Sequence, residues 1–275
     1  MRRTVFYLSI CILFFGCQDE KKASMAEESG NTEITKETEA PEQDPLQGQL
    51  DPDIRVRPIS HATALINWKG SNIYVDPVGG AKAFAGMPSP DFVLITDIHG
   101  DHLSVATLEE LSLDSIPIIA PQAVEAEIPD SLGLKVIVLD NMEKMEQDNF
   151  SIEAIPMYNL REDARQFHQK GRGNGYVLEM DGKRLYIAGD TEDIPEMRNL
   201  KDIDIALIPM NLPYTMPVEA AADAVIEFQP RIVVPYHFRG QNGMSDVQRF
   251  KEMVKEARPE IEVAMLDWYP DSNKE

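Results

Sequence analysis

From Ile54 onward the chain is built of short runs rich in Val, Ile and Leu, each closed by Gly, Pro, Asp or Asn. Alternating or continuous apolar runs of this length read as half-buried or fully buried strands. They predict strands over 54–59, 64–68, 73–75, 92–96, 117–120 and 136–139. A second set follows over 151–157, 176–179, 184–188, 203–208, 232–236 and 263–266. Apolar residues at helical spacing predict helices over 105–111, 218–228 and 247–258. Asp181-Gly182, set between two of the strands, is a strong hairpin signal. Strands and helices occur in both halves, which predicts an α/β fold layered as an α/β/β/α sandwich.

The N-terminal part has a different pattern. Met1-Arg2-Arg3 supplies positive charge and residues 5–15 are almost unbroken apolar. That run falls short of the about 20 residues a membrane span needs, and it fits the apolar region of a signal peptide. Phe15-Gly16-Cys17 closes it and resembles a bacterial lipoprotein signal, which implies cleavage before Cys17 and acylation there. A plain secretory signal cleaved nearby is the alternative. The expectation is an exported cell-envelope lipoprotein, facing the periplasm or the cell surface and held to the membrane through Cys17.

Both cysteines, Cys11 and Cys17, lie in this leader, so neither a disulfide nor a thiolate metal ligand is available to the mature domain. Residues 18–53 hold 11 acidic and 3 basic side chains and no aromatics. Such a stretch buries too little apolar surface to offset its ordering entropy, and it is expected to be a disordered acidic tether. The expected organisation is therefore signal peptide 1–17, tether 18–53 and a folded domain over 54–272. The net charge of the chain is -21, and its body stays acidic without the tether. Nucleic acid is excluded as a partner on that ground, because phosphate contacts need clustered Lys and Arg. A small molecule or a lipid is the expected substrate; oligomeric state is not encoded in any pattern here.

The five histidines are His61, His99, His102, His168 and His237. An apolar strand over 92–96 runs directly into Asp97-Ile-His99-Gly-Asp101-His102, with a helix beginning near Ser104. Four potential ligands within six residues at a strand-to-helix turn can converge on one point. His237 follows Ile232-Val-Val-Pro-Tyr at the end of a buried strand. A buried structural histidine is the plainer reading there, and mere exposure is the plainer reading for His168 in its polar loop.

Asp97-x-His99-x-Asp101-His102 resembles the H-x-H-x-D-H signature of the metallo-β-lactamase superfamily. Ser60-His61-Ala62-Thr63, Asp76-Pro77 after a strand, Gly189-Asp190-Thr191 and Pro235-Tyr-His237 match the order of that superfamily's motifs. The likeness is nearest to the branch with ascorbate-phosphate lactonases and the phospholipase D acting on N-acyl-phosphatidylethanolamine. It implies a four-layer αβ/βα metallo-β-lactamase sandwich and a metal-dependent hydrolase acting on an ester, lactone, amide or phosphodiester. The nucleophile would be a hydroxide bridging two divalent ions, with Zn2+ expected and Mn2+ or Fe2+ suited as well.

Carried over, the resemblance implies His99, His168 and the residue at position 97 on the first metal. It implies Asp101, His102 and His237 on the second, with Asp190 between them. Asp97 departs from the usual histidine. Either its carboxylate ligates the first ion, or the position is lost as a ligand. Ligation would bring two divalent ions, three carboxylates and a hydroxide to zero net charge, a weaker Lewis acid that tolerates harder metals. His61 is expected to support the site or face substrate, with a buried structural role as the alternative. Asp76 either supports the site or ends a strand. Arg239, Arg172 and Lys170 are candidates for holding an anionic substrate group. Tyr214 is a candidate hydroxyl donor to a developing oxyanion. Gly171, Gly173 and Gly175 are expected to allow close backbone packing behind His168. A metal-binding envelope lipoprotein without turnover is the alternative function, and a β-lactamase in the drug-resistance sense is disfavoured.

Overall fold

The computed structural model describes residues 48–269; the expected signal peptide, Cys17 and the tether up to residue 47 lie outside them. Two seven-stranded sheets carry the chain. The first runs in chain order through β1 (Gln49–Asp51), β2 (Ile54–Ser60), β3 (Thr63–Trp68), β4 (Ser71–Val75), β5 (Phe92–Leu94), β6 (Ile118–Ala120) and β7 (Val136–Val138). The second places β8 (Lys144–Gln147), β9 (Phe150–Met157), β10 (Gly173–Met180), β11 (Lys183–Ile187), β12 (Ile205–Pro209) and β13 (Ile232–Tyr236) side by side. β14 (Arg239–Gly240) and β15 (Gly243–Met244) make a small ribbon, and β16 (Glu262–Val263) closes the second sheet beside β13. Each sheet is a four-strand antiparallel meander that turns parallel: at β4–β5 in the first and at β11–β12 in the second.

Alternation along the strands explains the layers. Ile66 and Trp68 of β3, Ile73 and Val75 of β4, and Phe92 and Leu94 of β5 face the second sheet. There they meet Phe150, Tyr176, Leu178, Leu185, Leu207 and Val234. Their neighbours Leu65, Tyr74 and Val93 face outward, under α1 (Val105–Glu110) and α2 (Gln122–Glu125). On the other side Val177, Tyr186, Ala206 and Val233 pack under α3 (Pro195–Arg198), α4 (Val218–Phe228) and α5 (Val247–Ala257). This is the expected α/β/β/α sandwich, with period-two patterning serving two apolar faces at once. Trp68 is fully buried at the sheet–sheet interface, edge-on to Phe150 with 5.3 Å between ring centroids. Trp68→Ala should lower stability by about 3–5 kcal/mol through the cavity it leaves, read as a reduced urea midpoint at unchanged slope.

Several elements have no counterpart in the expectation, among them the short helices α2 and α3 and the strands β1 and β8. β1 lies inside the stretch expected to be tether: Gln49 and Asp51 pair with Arg55 and Ile54, and Asp51 receives Lys183 and Arg231, the latter at 2.8 Å. A polar strand of three residues carries no periodic signal, and cross-sheet ion pairs retain it. β8 is likewise an edge strand, Lys-Met-Glu-Gln, with only Met145 turned to the core. Polar edge strands of this kind resist unwanted strand pairing.

Candidate metal centre

The candidate ligands sit where strands end on the parallel side of each sheet, the edge at which open α/β sheets bind ligands. Asp76 follows β4, and the segment from Asp97 to His102 follows β5. Asp190 comes three residues after β11, Asn211 two after β12, and His237 directly after β13. His61 (φ 49°), Asp76 (φ 45°) and His237 (φ 45°) adopt the left-handed region. Each costs about 1 kcal/mol or more, the kind of strain that collects at functional sites. Close packing behind His168 holds for two of the three glycines: a Cβ on Gly175 would lie 2.8 Å from the Ala188 carbonyl oxygen, and one on Gly173 2.9 Å from that of Thr96, whereas Gly171 has nothing within 4 Å and is set apart only by its φ of 90°.

The ligand atoms form two groups, Asp97 with His99 and His168, and Asp101 with His102 and His237, the atoms of each within 4.8 Å of one another. Asp190 reaches both. Its Oδ2 is 3.3 Å from His168 Nε2 and 3.5 Å from His102 Nε2, and its Oδ1 is 3.4 Å from His237 Nε2. His237 Nε2 is also 3.2 Å from Asp101 Oδ2. Burial pushes the Asp190 carboxyl up, but His237 and His102 outweigh it and hold it well below the usual carboxylate range. The same contest lowers Asp101, through His237 and His102, and lowers Asp97, through His99, His102 and Arg172. These carboxylates are anions facing imidazoles.

Two of the remaining ring nitrogens are anchored, whereas Nδ1 of His237 is buried without a hydrogen-bond partner among the described residues. His102 Nδ1 is 2.8 Å from Asp76 Oδ2, and Asp76 in turn accepts from the Thr96 backbone N–H and hydroxyl, each at 2.7 Å. His168 Nδ1 is 3.1 Å from the Tyr214 carbonyl oxygen. Each anchor directs Nε2 into the centre, as ligating histidines require. His102 Nε2 and Asp190 Oδ1 are buried without a hydrogen-bond partner among the described residues. Spacings of 3.2–3.5 Å between adjacent donor atoms match the edge of a tetrahedron with bonds of about 2.1 Å. Imidazoles and carboxylates so spaced, with orphaned buried atoms among them, fit divalent cations.

The profile of the Beta-lactamase superfamily domain matches residues 55–237. The chain belongs to the metallo-β-lactamase superfamily. Within it, the chain belongs with the UPF0173 metal-dependent hydrolases. A member from Pyrococcus abyssi is 30% identical over 213 residues, covering 73% of this chain and 92% of that protein. A crystal structure from Parabacteroides distasonis, described as a metal-dependent hydrolase, shares 36% identity at a TM-score of 0.70. The match covers 78% of this chain and 94% of that one. Igni18, a metallo hydrolase from Ignicoccus hospitalis, shares the fold at a TM-score of 0.66 and 24% identity, over 78% of this chain and 94% of its own.

In this metal-dependent hydrolase a cavity of about 310 Å³ opens onto the centre, lined by His99, Asp101, His168, Asp190, Phe167, Asn211 and Tyr214. The basic side chains take other partners than expected. Lys170 pairs with Glu196 at 2.7 Å and lies 4.5 Å over the Tyr158 ring; Arg172 bonds Asp97; Arg239 lies 4.3 Å over the Tyr269 ring. Tyr214 contributes its backbone carbonyl to His168, and its ring packs edge-on to Phe167 at 5.1 Å. His61 is half-buried, its ring 5.4 Å from that of His237 and its Nδ1 3.4 Å from the Tyr269 hydroxyl. Burial and the neighbouring His237 lower its pKa, which favours a neutral ring. Asp76 supports the centre through His102.

Sequence reasoning missed Asn211 and Phe167. Asn211 Oδ1 accepts the Thr215 hydroxyl at 2.5 Å, which turns its amide nitrogen toward the centre, 3.4 Å from His237 Nε2. Its position two residues beyond a fully buried strand was the available signal.

Proposed function

We propose that this chain hydrolyses a small uncharged ester, lactone or amide at a centre of two divalent ions. The observation that carries the reading is Asp190, whose two oxygens face both ligand groups at 3.3–3.5 Å. Bound divalent ions supply the acidified water and the Lewis acidity that hydrolysis requires. His99, His168 and Asp97 would hold one, Asp101, His102 and His237 the other, and Asp190 both; Zn2+ suits these donors, with Mn2+ or Fe2+ as alternatives.

The protein contributes orientation and charge. Asp76 and the Tyr214 carbonyl fix two of the imidazoles, and the Asn211 amide is poised to donate to oxygen as charge develops there. Phe167 and Tyr214 offer apolar surface for the acyl or alkyl portion. Among the described residues no Lys or Arg lines the cavity, so a phosphodiester anion would find no protein cation there. That favours an uncharged carboxyl ester or lactone over a phosphodiester. The membrane remains part of the proposal: acylation at Cys17 would set the domain in the cell envelope. Mass spectrometry of the mature N-terminus tests it, and an unmodified N-terminus beyond residue 17 would remove the anchor.

The main test is a panel of chromogenic esters, lactones, anilides and phosphodiesters with zinc-, manganese- and iron-loaded protein. Turnover of a carboxyl ester or lactone should exceed that of phosphodiesters and should stop on chelation. Preference for phosphodiesters would overturn the substrate class; turnover that survives complete chelation would overturn the mechanism.

A further inference from the structure

The two ligand groups differ in one respect that the spacing of ligands did not reveal. Asp97 is fully buried, and the Arg172 guanidinium grips it at two points: Nε to Oδ1 at 3.1 Å and Nη2 to Oδ2 at 3.0 Å. Arg172 also lies close to His99, its Nη2 3.4 Å from His99 Nε2, while His99 Nδ1 is 2.7 Å from Asp97 Oδ2. Nη2 donates besides to the Phe167 carbonyl, which fixes the guanidinium in place. In the second group, Asp101 meets His102 at 3.9 Å and His237 at 3.2 Å, and among the described residues it pairs with no Lys or Arg.

Building on the two-ion reading, we propose that Arg172 is the charge-compensating and positioning residue of the first half-site, and that it keeps this half-site the weaker of the two. Guanidinium is charged at any working pH and matches a carboxylate in a bidentate fork. The Asp97–Arg172 pair is therefore neutral as a unit, like the imidazole expected at position 97. With Arg172 counted, two divalent ions, three aspartates and a hydroxide carry +1 rather than zero, the same total as a site with histidine there. Acidification of the bound water is then preserved, contrary to the expectation from Asp97 alone. The compensation has a cost in affinity. An ion entering the first half-site shares Asp97 Oδ2 with Arg172 and feels a fixed positive charge beside it. An ion in the second half-site meets neither.

Calorimetric titration of the metal-free full chain with Zn2+, paired with elemental analysis at saturation, tests this. The wild type should take up two ions in steps separated by at least about tenfold. Arg172→Met should tighten the weaker step by about tenfold and leave the stronger step in place, which also reports that the fold is intact. Arg172→Lys retains the charge and should leave the weaker step within a few-fold of wild type. Asp97→His alone leaves Arg172 unpaired against the ion and should loosen that step; adding Arg172→Met should restore it. Two equal tight steps in the wild type, or a weaker step that Arg172→Met does not tighten, would overturn the role of Arg172. If Arg172→Met does not fold, tightening by Arg172→Lys would do so instead. One ion at saturation in every variant would overturn the two-ion reading and this inference with it.

Discussion

Asp190→Ala will reduce kcat by at least about 10²–10³-fold and will lower bound metal in both half-sites. Asp190 is almost completely buried, and its oxygens lie 3.3–3.5 Å from the Nε2 atoms of His168, His102 and His237. Removing it leaves three imidazoles converging on a space without an anion, so cations there lose their shared counter-charge. Asp190→Asn separates charge from shape. The amide fills the same volume, can offer one oxygen, and presents N–H groups to imidazoles or cations. It should therefore approach the alanine variant in activity while folding like the wild type. Steady-state rates on the ester identified by screening, with elemental analysis of each preparation, decide the matter. Turnover within about tenfold of wild type in Asp190→Ala would sink the proposed centre, because no other described carboxylate reaches both ligand groups.

The second large effect is expected one residue back from the centre. Asp76→Ala should cost about 3–5 kcal/mol of stability, as removal of one partner from a buried charged network does. It should also weaken metal binding by about 10–100-fold. Asp76 is wholly inaccessible and serves three donors: the Thr96 backbone N–H, the Thr96 hydroxyl and His102 Nδ1. Burial raises its pKa, and His102 and Thr96 pull against that rise. His102 itself is pushed down by burial and raised well above its usual range by Asp190 and Asp76. The contact of Asp76 with Nδ1 at 2.8 Å holds the His102 ring so that Nε2 points into the centre. Because Asp76 has φ 45°, alanine adds backbone strain, whereas asparagine tolerates that region. Asp76→Asn isolates the electronic effect: its amide cannot accept from Nδ1–H as the carboxylate does. Thermal melts and metal titrations of both variants measure the two losses. An Asp76→Asn protein with unchanged metal affinity would show that the carboxylate matters only for folding.

Strand positions were legible because burial on two faces leaves a local record. The runs at 92–95, 205–208 and 232–236 are apolar at consecutive positions because one set of side chains meets the other sheet and the next set meets helices. The candidate ligands were legible for a related reason. All but His168, which lies in the loop between β9 and β10, follow strand ends closely, and a strand end is a local feature that aims a side chain at a fixed edge of the sheet. The division into two ligand groups came from the resemblance to the metallo-β-lactamase motifs, and the structure brings those same residues together.

What the tertiary structure alone decided is which charged and polar groups answer one another. Arg172 stands 75 positions from Asp97, and nothing in its own loop distinguishes a substrate anchor from a partner of a buried carboxylate. Lys170 and Arg239 read alike in the sequence, yet one meets Glu196 and the other lies over Tyr269. Tyr214 was singled out for its hydroxyl; the fold places it in the cavity lining and adds a contact from its carbonyl to His168 that no sequence pattern marks. Gln49–Asp51 read as solvated acid and became a strand because Lys183 and Arg231 wait across the edge. Periodicity records which face of an element is buried. The partners of a long polar side chain depend on which loops meet, and that is settled only when the sheets pack.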